Sequence, residues 1–189
     1  MDDNAWLVVI DGQRIFADPL SDWGSPLWPE AMDTIATLLP RFEGRTILTR
    51  WIPPTPNERV GSWRDYMAAW PFADRPQDDA YFDLVDDLAG IDAPVVDAPT
   101  FGKWDAIRPL VGEAPTLVVV GVATDCCVIS TVLPAADAGA RVTVVTDGCA
   151  GSSPDNQQAA LTVMGLYPPQ VRLSDAAGVL DAQRHRGKE

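Results

Sequence analysis

Two kinds of apolar pattern alternate along the chain: short runs rich in β-branched residues, and longer stretches in which apolar positions recur every three or four residues. WLVVI at Trp6–Ile10 and TLVVVGV at Thr116–Val122 are unbroken runs too short for helices, the pattern of strands buried on both faces. Shorter strands are predicted at 46–49, 94–96, 141–146 and near Val171. Between them, Ala31, Ile35, Leu38, Leu39 and Phe42 give residues 30–42 helical spacing. Thr124 or Asp125 can cap a helix that reaches about Ala138 and stops at Gly139, and Ser153 with Pro154 opens a helix to about Leu166. Ser62 can cap a short helix over 63–70, and a small helix is predicted at 175–180. Strands alternating with helices predict an α/β fold: a three-layer, Rossmann-like sandwich with a six-stranded, mostly parallel sheet and helices on both faces.

Two segments fit neither pattern. Residues 51–62 hold Pro53, Pro54 and Pro56 and read as a long loop, with Trp51, Trp63, Tyr66 and Trp70 either anchoring it or lining a pocket beneath it. Residues 77–88 carry Asp78, Asp79, Asp83, Asp86 and Asp87 without the alternation or the glycine of a calcium loop. They read as a solvated helix face with Phe82, Leu84, Val85 and Leu88 turned inward. With no internal repeat and no linker, residues 1–189 are expected to form one domain, with a flexible tail from about 183.

Ligands of parallel sheets bind beyond the carboxyl ends of the strands, so the residues there carry the candidate chemistry. Asp11 follows the first strand and either caps a turn or enters a site; Lys103 follows the third and is either a solvated charge or part of that site. Cys126 and Cys127 follow the fourth, at the turn into a helix. They are either two small buried residues or include a nucleophile served by the free N–H groups of the helix start. Phe16, Trp51 and Trp104 lie near the same strand ends and are candidates to contact a substrate, with core packing as the alternative for each.

Composition narrows the chemistry. A net charge of −13 makes nucleic acid, an anionic membrane surface or a strongly anionic substrate a poor partner and leaves a small neutral or cationic molecule. No apolar stretch is long enough to span a membrane and no basic segment precedes the first apolar run, so a cytoplasmic location is expected. The three cysteines lack disulfide or zinc spacing, and His185, in the basic tail, is the one histidine. A Cys–His dyad, a Ser–His–Asp triad and a histidine-bound metal are therefore not expected, and no cofactor is called for.

WLVVIDGQRIFADP, the lysine of TFGKW, and VVVGVATDCCVISTVLPAADAGARVTVVTDGCAG together resemble the isochorismatase-like cysteine hydrolases, a family that includes nicotinamidases and N-carbamoylsarcosine amidohydrolase. The resemblance spans about 6–173 and implies the sheet order 3-2-1-4-5-6. It also implies an Asp11, Lys103 and Cys127 triad, Cys127 being chosen because Val128 matches the valine-like residue after the family's nucleophile. It further implies a cis peptide at Val122–Ala123, an oxyanion hole from the N–H groups of Ala123 and Cys127, and a homodimer or homotetramer. The activity expected is amide hydrolysis through a thioester, with a thiol made acidic by Lys103 and the helix start; enol-ether hydrolysis and a non-catalytic binding role are the alternatives. Three departures stand out. The histidines that hold a metal in nicotinamidases are missing from TRWIPPTPNERVGSW, Gly12 replaces a bulkier residue, and Pro134 is expected to kink or split its helix.

Overall fold

The computed structural model describes residues 4–184. Six strands, β1 (Trp6–Ile10), β2 (Thr46–Trp51), β3 (Val95–Ala98), β4 (Thr116–Val122), β5 (Arg141–Ala150) and β6 (Val171–Ser174), form one sheet in the order β3-β2-β1-β4-β5-β6. Every pairing is parallel. The direction of strand order reverses between β1 and β4, and a reversal of this kind opens a crevice at the carboxyl edge.

The described residues also form eight α-helices: α1 (Arg14–Ala17), α2 (Trp28–Leu38), α3 (Trp63–Ala69), α4 (Asp86–Ala89), α5 (Trp104–Val111), α6 (Ile129–Asp137), α7 (Pro154–Met164) and α8 (Ala176–Arg184). Alternate residues of the central strands feed two separate cores. Leu7, Val9, Val118 and Val120 pack against Ile35 and Leu38 of α2 and Val179 of α8. Val8, Ile10, Leu117 and Val119 pack against Ile107 of α5, Val132 of α6 and Met164 of α7. Burial on both faces explains the continuous apolar runs of β1 and β4. Among the described residues no helix is long and apolar enough to cross a membrane.

Several expected boundaries move. The first long helix begins at Trp28 and gives way to a 3-10 turn, Leu39–Arg41, because Pro40 cannot donate into a further helical turn. β5 continues four residues past Thr146 through Asp147 and Gly148, polar and small residues that hid its far end. The acidic stretch 77–88 is not one helix. It makes a 3-10 turn at Ala80–Phe82, an antiparallel bridge between Leu84 and Gln13, and the short α4. Phe82, Leu84 and Leu88 are nevertheless buried, as their apolarity requires. α8 runs through Arg184, beyond the expected start of the tail; the rest of that tail, His185 included, lies outside the described residues.

Candidate active site

The turn after β1 is built around polar groups that have no contact with water. Asp11 sits in the left-handed region at φ 47°, a conformation that aspartate tolerates better than most residues. Thr49, at the neighbouring position on β2, holds it from two sides: the Asp11 N–H donates to Thr49 Oγ1 at 3.1 Å, and that hydroxyl donates to Asp11 Oδ1 at 2.7 Å. Gln13, also buried, ties the turn to its neighbours. Its amide donates to the carbonyls of Trp51 and Phe82 at 3.0 and 2.7 Å and accepts from the Trp51 N–H at 2.7 Å. The reason for Gly12 is steric. A Cβ there would lie 2.4 Å from Leu88 Cδ1 and 3.0 Å from Trp28 Cη2, so those two side chains occupy the space a bulkier residue would need.

Lys103 enters from the loop after β3 and, like Asp11, is fully buried. Its Nζ donates to the carbonyls of Thr100 and Phe101 at 2.7 and 2.9 Å and stands 3.0 Å from Asp11 Oδ2. The pair is ionic in contact but off the hydrogen-bond angle, so Oδ2 accepts no hydrogen bond although it is buried. Burial works against the lysine charge, but the charges of Asp11 and the neighbouring thiols outweigh it, and the Lys103 pKa is raised.

One hydroxyl joins this loop to the turn after β4. The Lys103 N–H donates to Thr131 Oγ1 at 2.9 Å, and Thr131 donates back to the Cys127 carbonyl at 2.7 Å. Gly102 allows the approach, since a Cβ on it would lie 2.4 Å from the Ser130 carbonyl oxygen. That carbonyl is the one Pro134 cannot serve, having no N–H. α6 continues across Pro134 without the expected split; one missing bond is tolerated where another segment packs against the vacated carbonyl.

The irregularity lies upstream, where Thr124–Val128 forms a π-helical turn, a feature concentrated at functional sites. Its cap is Ala123, after a cis Val122–Ala123 peptide, and the Cys126 and Val128 N–H groups both donate to the Ala123 carbonyl at 3.0 Å. Neither Thr124 nor Asp125 caps the helix, as their side chains suggested. Asp125 instead accepts from the Ser152 N–H and hydroxyl at 2.8 and 2.7 Å, tying this turn to the end of β5. Cys127 is buried and Cys126 partly exposed. The expected acidic thiol at Cys127 is not what this environment produces. Its hydrogen bond with Cys126, its burial and the charge of Asp11 push the Cys127 pKa up, with Lys103 opposing, while the same hydrogen bond pulls Cys126 down.

Above the cysteines lies a cavity of about 270 Å³, small against the ~300–1,000 Å³ of pockets for drug-sized ligands. Cys126, Cys127 and Ala123 lie in its lining. So do Phe16 and Trp51, two of the three candidate substrate contacts. Trp104 does not; it is a core residue beside Ile107 and Val132 on the α5–α6 side of the sheet, because the first turn of α5 directs it there. Tyr66 and Trp70, from the aromatic-rich stretch, also line the cavity, while Trp63 packs behind against Tyr66 and Phe101 with ring centroids 5.3 and 5.0 Å away. Trp23 gave no sequence signal, because it stands in a loop without periodicity, yet it is the hub of this wall. Burial and the nearby thiols raise the Tyr66 pKa, keeping the phenol neutral. Among the described residues no group of three or more His, Cys, Asp or Glu side chains is placed to hold a metal ion.

A doubly wound parallel sheet in the order 3-2-1-4-5-6, with a cysteine turn and a buried carboxylate–ammonium pair at its switch point, is a Rossmann-like α/β architecture, and comparison with known structures agrees on the fold. A cysteine hydrolase from Pseudomonas syringae pv. phaseolicola 1448A superposes with a TM-score of 0.81 at 19% identity, over 96% of this chain and 93% of that one. An isochorismatase family protein from Desulfovibrio vulgaris gives 0.79 at 17%, over 97% and 100%. A pyrazinamidase/nicotinamidase from Streptococcus mutans UA159 gives 0.70 at 18%, over 90% and 99%. At these identities the likeness is one of fold. No curated protein matches the sequence. The model of the isochorismatase domain matches residues 5–177, and the chain belongs to that family of hydrolases.

Proposed function

We propose that the chain is a cysteine amidohydrolase that cleaves the carbon–nitrogen bond of a small neutral or cationic amide without a metal. The observation that carries this reading is the fully buried Asp11–Lys103 pair at 3.0 Å, electrostatically coupled to a cysteine that opens onto the cavity. Asp11 Oδ2 takes the Cys127 proton and the thiolate adds to the amide carbonyl carbon, its charge balanced by Lys103. The oxyanion is held by the N–H groups of Ala123 and Cys127. Asp11 then gives the proton to the leaving nitrogen as the C–N bond breaks, leaving a thioester. Water, losing a proton to Asp11, attacks the thioester; the acid departs and Cys127 recovers its proton.

Hydrolysis of the enol ether of isochorismate fits less well, since a dicarboxylate would meet aromatic rings and Asp22, with no lysine or arginine in the described lining. The test is release of ammonia from a panel of primary amides. Cys127→Ala is expected to abolish release, by about 10³-fold or more, and Cys126→Ala to preserve it. Full activity in Cys127→Ala would refute covalent catalysis.

A further inference from the structure

Six aromatic rings line the cavity: Phe16, Trp23, Trp51, Tyr66, Trp70 and Phe101. Trp23 stands at their centre, stacked on Phe16 at 6.0 Å and an interplanar angle of 8°, edge-on to Trp51 and Trp70 at 5.3 and 5.6 Å, and 6.0 Å from Tyr66. Among the described residues the only carboxylates in the lining are Asp22 and Asp125, and no lysine, arginine or histidine joins them. Both oxygens of Asp125 are already engaged by Ser152, and Asp22 is exposed.

Three ligand chemistries can be weighed against that wall. A carboxylate would be desolvated with no cation to pair it, at a cost the rings cannot offset. A primary ammonium carries three N–H donors and needs acceptors; of the charged acceptors in the lining Asp125 is already engaged by Ser152 and Asp22 is exposed to water, so among the rings it would be left under-bonded. A methylated ammonium needs none, because its positive charge is spread over methyl groups that pack against aromatic rings and are attracted by their quadrupoles. The acidic rim and the net charge of −13 favour the same sign.

Resting on the amidohydrolase reading for the chemical step, the geometry points to a quaternary ammonium group on the substrate, seated among Trp23, Trp51, Tyr66 and Trp70, with the scissile carbonyl directed at Cys127. The enzyme is thus selective for amides of small betaine-like acids.

Two amides of the same shape test this. Trimethylammonioacetamide and 3,3-dimethylbutanamide differ only in a quaternary nitrogen replaced by carbon. The cationic amide is expected to have kcat/KM at least about tenfold higher, the size of one desolvated cation–π contact or two exposed ones. Trp23→Leu and, separately, Trp70→Leu are expected to narrow that ratio, a change that general loss of structure, which lowers both rates, would not produce. Calorimetric binding of the same two compounds to Cys127→Ala reads the preference without turnover. If neither amide releases ammonia but the cation binds Cys127→Ala preferentially, the amidohydrolase reading fails and the ammonium site stands. Equal or reversed preference, or no binding of the cation at millimolar concentration, overturns the ammonium site whatever the turnover.

Discussion

Replacing Lys103 by methionine removes an ammonium that is wholly buried, 3.0 Å from the Asp11 carboxylate and bonded to two backbone carbonyls. Methionine fills similar volume, so the loss is electrostatic. Leaving a buried carboxylate without its counter-charge costs about 3–5 kcal/mol, and the two carbonyls deprived of their donor add about 1 kcal/mol each. The total, about 5–7 kcal/mol, is comparable with the whole stability of a typical domain, about 5–15 kcal/mol. In an Asp11→Asn background the carboxylate charge is gone, and the same substitution should cost only the two carbonyls, about 2 kcal/mol. The expected coupling in the double-mutant cycle is therefore about 3–5 kcal/mol. Equilibrium urea unfolding of the four proteins measures it. Should Lys103→Met fail to fold alone, the double variant should recover a cooperative transition. Single costs that add to within about 0.5 kcal/mol would refute the view that these two groups hold each other in the core.

The remaining predictions concern the same neighbourhood. Gly12→Ala forces Leu88 and Trp28 aside and should destabilise the protein by about 1–3 kcal/mol in the same unfolding assay; a neutral result would show that the two side chains have room to yield. The raised Lys103 pKa sets an alkaline limit. Below the unfolded lysine value of ~10.4 both states are protonated and the pair contributes fully; as pH climbs from there through the folded value the unfolded state sheds its proton first and the contribution is lost. The stability difference between the parent and Lys103→Met should thus be flat from neutral pH to ~10 and shrink above that. Cys149, buried on β5 with its pKa pushed up to about 12 by desolvation and Asp147, should stay unmodified by iodoacetamide under conditions that fully alkylate Cys126, as peptide mass spectrometry would show.

The parallel sheet was legible because a strand covered on both faces cannot hide its composition: WLVVI and TLVVVGV admit no other element. Position at strand ends made Asp11, Lys103 and the cysteine pair candidates but left each with a structural alternative, and only the family resemblance grouped Asp11, Lys103 and Cys127. What escaped has a common cause, dependence on residues distant in sequence. Gln13 and Thr49 look like ordinary loop and strand polar residues until their partners, Phe82 and Asp11, are in place. Trp23 has no periodic context, and its role exists only where α1, the end of β2 and the α3 region bring Phe16, Trp51, Tyr66 and Trp70 around it. The acidic stretch 77–88 misled in the other direction: its inward residues are correct, but the bridge from Leu84 to Gln13 breaks what composition presents as one helical face. Trp104 shows the limit of arguing from proximity to a strand end, because a helix starting there can turn its first side chain to either side of the sheet.

Pro134 invites correction by anyone seeking a more robust protein, since an interior helical proline is penalised by about 3 kcal/mol relative to alanine. Here that repair would not be confined to the helix. An N–H at 134 would draw the Ser130 carbonyl back into the helical ladder, away from the surface on which Gly102 rests, one residue before the lysine that pairs with Asp11. Consensus-style stabilisation of α6 and preservation of the position of Lys103 are therefore competing design goals, and Gly102 and Pro134 are best varied as one unit.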